Sequence, residues 1–177
     1  MASKKIRQTF TWLAVIGVAG GLLYQGYQWL SRPLPGEAVA DLGRAHIAVG
    51  TAREYNSNPP TSGPHYAEWT RAGIYDQPIE DGYLIHSLEH GYVIMSYRCE
   101  QLTGGGEQVC KEFQDKLGAL AEDLGIKKLI VVPRPTLDVP LALTAWTRLL
   151  KLEAVDEPQI RSFVHTFRNA GPEQTVE

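Results

Sequence analysis

The apolar positions of the chain fall into blocks of different period. The first, FTWLAVIGVAGGLLYQGYQWL over 10–30, carries no charge and is long enough for a bilayer core, which needs about 20 residues. Phe10 and Trp12 at one end, with Tyr24, Tyr27 and Trp29 at the other, match the aromatic belts of a membrane-spanning helix. Lys4, Lys5 and Arg7 precede the run, and basic residues stay on the cytoplasmic side. The pattern therefore predicts a cytoplasmic tail (1–9), a single transmembrane helix embedded in the lipid bilayer (10–30) and a linker (31–40) stiffened by Pro33 and Pro35. A domain over 41–177 follows on the periplasmic or extracellular face of the inner (plasma) membrane. The AVA tripeptide at 38–40 lies too far beyond the apolar core for a signal peptidase, so the anchor is expected to stay attached.

Beyond residue 41 the blocks are shorter. YNSNPPTSGPHY (55–66) is too rich in Pro, Gly, Ser and Asn for the interior of a helix or strand. YLIHS and YVIMSY read as two strands around Gly91. In KEFQDKLGALAEDLG, Phe113, Leu117, Leu120 and Leu124 recur at helical spacing, with Gly125 as the stop. KKLIVVP reads as a buried strand ended by proline, and LALTAWTRLLKL (141–152) as a strand. Asp156 caps a last helix that has Pro158 in its first turn and presents Ile160, Phe163, Val164 and Phe167 to the core. The order is loop, β, β, α, β, β, α. It predicts an α+β fold, a two-layer α/β domain with a mostly antiparallel sheet.

Composition and charge narrow the partners. The formal charge is −3, but the first 32 residues hold Lys4, Lys5, Arg7 and Arg32 and no acid. The remainder has thirteen basic against twenty acidic residues, near −7. That field opposes phosphate, so nucleic acid is not an expected partner. The two cysteines, Cys99 and Cys110, flank the Gly-rich EQLTGGGEQV. In an oxidising compartment the default is a disulfide closing that loop. A dithiol metal or redox site would want C-x-x-C spacing, which is absent.

The chemistry-bearing residues concentrate in HSLEH. His86 and His90 share a face whether the segment is helix or strand, because four residues is both a helical turn and an even number. Neutral imidazole is the commonest metal ligand among side chains, and Glu89 could ligate or orient an imidazole. Met95 adds a thioether, which favours copper, although a methionine inside YVIMSY also serves as core filler. The proline-stiffened NPPTSGPH presents His65 as a third imidazole. The expected metal set is thus His65, His86, His90, Glu89 and Met95, holding copper, with zinc as the alternative. His165 is expected to pack beside the apolar stripe of the last helix, and His46 to begin the first strand without a role. HSLEH also matches the inverted zincin pattern H-x-x-E-H. That chemistry needs a helix of several turns, and Gly82 and Gly91 bracket the motif closely.

Taken together, YNSNPPTSGPHY, LIHSLEHGYVIMSY, LALTAWTRLLKL and the closing AGPE resemble an uncharacterised prokaryotic family described only as a domain of unknown function, whose members commonly carry an N-terminal membrane anchor. The resemblance spans 54–173 and draws attention to His65, His86, Glu89, His90 and Gly91. It implies no reaction.

The leading expectation is a membrane-anchored, extracytoplasmic copper-binding protein that holds or delivers metal without catalysis. Its main rival is an accessory subunit of a larger respiratory or photosynthetic membrane complex. A zinc-dependent hydrolase is the third reading.

Overall fold

The computed structural model describes residues 16–28, 31, 33–173 and 175. It divides into two units, residues 1–34 and 35–177, each considered by itself. In the first, a helix α1 covers 16–28. Four glycines (Gly17, Gly20, Gly21, Gly26) and the amides of Gln25 and Gln28 dilute its hydrophobicity. Among the described residues no helix is long and apolar enough to cross a membrane. This finding overturns the single transmembrane helix expected over 10–30 and the single-pass placement built on it. The basic tail 1–9 and residues 10–15, 29 and 30 lie outside the described residues.

The second unit is built on one six-stranded sheet. Its strands are β1 (Glu37–Ala38), β2 (Gly73–Ile74), β3 (Val93–Tyr97), β4 (Leu129–Pro133), β5 (Leu141–Ala145) and β6 (Arg148–Leu152), in the order β1-β6-β5-β3-β4-β2. The sheet is mixed. β4 runs parallel to both β3 and β2, whereas β3/β5, β5/β6 and β1/β6 are antiparallel. The mostly antiparallel sheet expected from sequence is therefore corrected. The cause is the helix α3 (Glu107–Asp123) between β3 and β4, which carries the chain back so that β4 starts at the same end as β3.

Helices cover both faces. Val93, Met95 and Tyr97 alternate with Ile94 along β3, as Leu129 and Val131 alternate with Ile130 and Val132 along β4. One set packs on Phe113, Leu117 and Leu120 of α3 and on Ile160, Phe163, Val164 and Phe167 of α4 (Glu157–Phe167). The other packs on Leu84 and Leu88 of α2 (Asp81–Glu89). A two-layer arrangement is thus replaced by helix, sheet, helix. α4 is capped as its sequence predicts: Asp156 accepts from the Gln159 amide at 3.0 Å. LALTAWTRLLKL is a hairpin of two strands turning at Trp146 and Thr147. Cys99 and Cys110 are joined in a disulfide, which is compatible with an oxidising, extracellular setting.

The largest local departure is α2, since YLIHS was expected to be a strand. Gly82 and Leu84 to Glu89 are all buried, so the segment shows no polar stripe and no readable period. Gly91, which seemed to break the motif, is its helix stop. At φ +80°, its amide donates to Leu88 O (2.9 Å) and the Tyr92 amide to Ser87 O (3.0 Å), a Schellman closure.

Candidate metal centre

Three pieces of backbone converge on the second half of α2. Segment 43–47 lies beside 63–65 like a short parallel ladder: Gly63 N donates to Gly43 O (3.0 Å), His65 N to Ala45 O (3.0 Å) and Ile47 N to His65 O (2.8 Å). The loop holding His65 is buried from Pro59 to Gly63 and again at His65 and Tyr66. The Tyr55 hydroxyl donates to Pro64 O (2.9 Å), and the hairpin tip donates from Thr147 N to Thr61 O (3.1 Å). The loop in turn meets α2, where Tyr66 N donates to Gly82 O (3.1 Å) and the Tyr66 ring covers Gly82. A Cβ at Gly82 would come within 2.6 Å of that ring. Ser87 fixes the other side, donating to Thr70 O (2.8 Å) and accepting from Thr70 N (3.0 Å).

These contacts bring four side chains together. Ligating atoms of His46, His65, His86 and Glu89 all lie within 4.8 Å of one another. His65, His86 and Glu89 are buried, and His46 is exposed. Backbone carbonyls set the tautomers. His65 Nδ1 is 2.8 Å from Gly63 O and His86 Nδ1 is 2.8 Å from Tyr66 O. A carbonyl oxygen only accepts, so each Nδ1 carries its hydrogen and each neutral ring turns the lone pair of Nε2 inward. His65 Nε2 faces Glu89 Oε2 at 2.8 Å, yet the pair lacks the alignment of a hydrogen bond. Glu89 Oε1 is 3.4 Å from Arg44 Nη1. Burial pushes the His86 imidazole pKa below its ordinary value, and the neighbouring His90 and His65 push the same way.

His90 stands next to this group. Its Nε2 is 3.2 Å from His86 Nε2, and its Nδ1 is buried without a hydrogen-bond partner. The indole of Trp69, partly exposed, sets an edge against His90 and tilts over His86, at ring distances of 4.8 and 5.5 Å. Met95 is not brought to the cluster. It is fully buried on the opposite face of the sheet, among residues that pack on α3 and α4. His165 is exposed on α4. Sequence reasoning missed His46, Arg44 and Trp69. His46 and Arg44 join only through the pairing of 43–47 with 63–65, for which no local pattern is a signal.

A cavity of about 450 Å³ opens at the other end of α2, lined by Arg53, Tyr55, Glu80, Asp81, Leu84 and Arg134. Its polar groups already satisfy one another: Arg53 donates to the Tyr55 and Tyr66 hydroxyls, Tyr66 to Glu80, and Arg134 to Asp81 and Asn58. The imidazole cluster, by contrast, holds three buried atoms without a hydrogen-bond partner, His65 Nε2, Glu89 Oε2 and His90 Nδ1.

The family model "Protein of unknown function (DUF3105)" matches residues 46–177. The chain belongs to the DUF3105 family. The matched span opens at His46 and contains His65, His86, Glu89 and His90, so the whole cluster except Arg44 lies inside the DUF3105 domain. No curated protein and no solved structure was found to match the chain.

Proposed function

We propose that this DUF3105 domain binds a transition-metal ion, copper in its divalent state, between His46, His65, His86 and Glu89, and that it holds or delivers the ion without catalysing a reaction on it. The observation that carries the reading is the contact of His65 Nε2 with Glu89 Oε2 at 2.8 Å, outside hydrogen-bond alignment. With Nδ1 committed to Gly63 O, a neutral His65 turns a lone pair toward a carboxylate oxygen. Two electron-pair donors that close need positive charge between them. A proton would serve two of them; a third donor in His86 and a fourth in His46 are what a metal ion adds.

The donor chemistry selects the ion. Three imidazoles and a carboxylate form a nitrogen and oxygen set, suited to Cu(II) and Zn(II), and divalent copper binds such sets more tightly than zinc. No thioether joins the set, because Met95 faces the other side of the sheet. Ligands around such an ion sit about 3.3 Å apart when metal–nitrogen bonds are about 2.0 Å. The His65–Glu89 pair at 2.8 Å is already near that spacing, and the other ligating atoms, all within 4.8 Å of one another, have to close in. His90 Nε2 lies 3.2 Å from His86 Nε2, the atom that would ligate, so that contact has to give way to the ion, while Tyr66 O backs His86 from Nδ1. A hydrolase would need Glu89 free to activate water, whereas in this site Glu89 is itself one of the ligands.

Elemental analysis and Cu(II) electron paramagnetic resonance of the full chain test this reading. The expected result is about one copper per chain with nitrogen coupling, as for a closed site of this donor set. The same preparation of a His65→Ala, His86→Ala double variant should lose both. Equal, substoichiometric metal in the two proteins ends the proposal.

A further inference from the structure

We propose that Arg44 is the resident cation of this site: its guanidinium compensates Glu89 when no metal is bound, gives way to the ion, and thereby sets how tightly the ion is held. The inference rests on the metal reading above and adds a residue that no ligand pattern would include.

The backbone explains why Arg44 is there. Segment 43–47 is extended against 63–65, and alternate residues of an extended segment point the same way. Arg44 and His46 therefore reach the same side, over His65 and Glu89. Glu89 is 5% exposed at its side chain, and a buried carboxylate needs compensation at both oxygens. Oε2 faces His65, while Oε1 has the Arg44 guanidinium at 3.4 Å. The Arg44 side chain is 51% exposed, so it can swing into water without opening a cavity or losing its hydration.

Two consequences follow for a divalent ion. Arriving beside Glu89, it meets a positive charge already associated with the same carboxylate and must overcome that repulsion. Leaving, it does not strand a bare buried charge, because Arg44 returns to Oε1. The exposed ligand His46 and the displaceable cation share one segment, which makes 43–47 the side through which the ion is exchanged. Arg44 is a positioning residue here and not a ligand, since guanidinium has no lone pair to give.

The test uses the full chain, stripped of metal and titrated with Cu(II) against a competing chelator, in wild type, Arg44→Gln, Arg44→Lys and His65→Ala. Arg44→Gln should bind about three- to tenfold more tightly, the scale expected for removing a partly exposed charge pair together with a like-charge repulsion. Arg44→Lys, which keeps the cation, should restore affinity to near the wild-type value. Metal-free Arg44→Gln should melt below metal-free wild type, and the rise on copper loading should be larger in the variant. A wild type that binds copper through His65 while Arg44→Gln binds equally or more weakly overturns the role of Arg44 alone. If neither wild type nor Arg44→Gln takes copper, the metal reading falls and this inference falls with it.

Discussion

The ammonium group of Lys128, 2% exposed, donates to the carbonyl oxygen of His90 at 2.9 Å. It also donates to Thr175 O at 2.8 Å, so a residue at the start of β4 ties the end of α2 to the C-terminal segment. The same segment reaches α2 by its backbone: Asn169 N donates to Gly91 O (2.8 Å) and Glu173 N to Glu89 O (3.0 Å). The closing AGPE is thus a strap over the turn that carries the site.

Replacing Lys128 by Met keeps most of the volume but leaves the carbonyls of His90 and Thr175 without that donor. We expect a loss of about 1.5–3 kcal/mol, the range for hydrogen bonds involving a charged group. Urea unfolding measures it, and a change under 0.5 kcal/mol would show that Lys128 does not hold the strap.

Gly91 is required for two reasons at once. Its φ of +80° strains any side chain, and a Cβ there would lie 2.8 Å from Asn169 Cα, a backbone atom that cannot step aside. Gly91→Ala should cost about 1–2 kcal/mol for the left-handed conformation alone, with the contact added. Gly171→Ala should be as disruptive, since its Cβ would meet Glu89 O at 2.2 Å. Thermal melts of both, beside a Gly104→Ala control whose Cβ meets nothing within 4 Å, separate the contact from the conformation.

How much of this was legible in the sequence depends on how each element meets water. α3 and α4 keep one wet face, so their apolar stripes showed, and Asp156 with Pro158 marked the start of α4. α2 has almost no wet face, so the run from Tyr83 to Glu89 looked as much like a strand. The parallel pairing of β3 and β4 was readable in principle from the helix between them. The candidate site divides along the same line. His65, His86, Glu89 and His90 stand in short motifs, whereas Arg44 and His46 enter through a pairing between distant segments that local pattern does not encode.

The His86 imidazole gives the metal-free protein a pH dependence of definite sign. Burial, the largest cause, lowers its folded pKa below the ordinary value of 6.5. Between the two values the unfolded chain binds more protons, so stability rises with pH. The contribution is complete above about pH 6.5, the ordinary histidine pKa, and is lost as pH falls toward the lowered folded value. Urea midpoints of wild type and His86→Gln across this window check it: the slope should be shallower in the variant, and an identical slope would remove His86 as its source.

The disulfide should matter for stability and not for the imidazole cluster. Cys99 and Cys110, eleven residues apart, close the Gly-rich loop ahead of α3, and Cys99 packs on the core that faces α3 and α4. A Cys99→Ser, Cys110→Ser variant should lose about 2–3 kcal/mol in the loop-entropy account. Copper affinity, measured on the fraction still folded, should be unchanged. A parallel loss of affinity would connect the two faces of the sheet in a way the packing does not.

His46 and Met95 offer the sharpest contrast among the candidate ligands, because sequence reasoning ranked them the other way round. Met95 fills the core with Val93 and Tyr97, so Met95→Leu should cost about 1 kcal/mol or less and leave copper affinity as it was. His46 is exposed, with its ring beside the His65 and His86 imidazoles at 5.0 and 5.1 Å, so His46→Ala should change the melting temperature little while weakening copper binding about tenfold or more, as loss of one of four donors does. Both affinities come from the same chelator competition, with melting curves run alongside. If Met95→Leu weakens binding and His46→Ala does not, the ion sits on the Met95 face of the sheet and not beside α2.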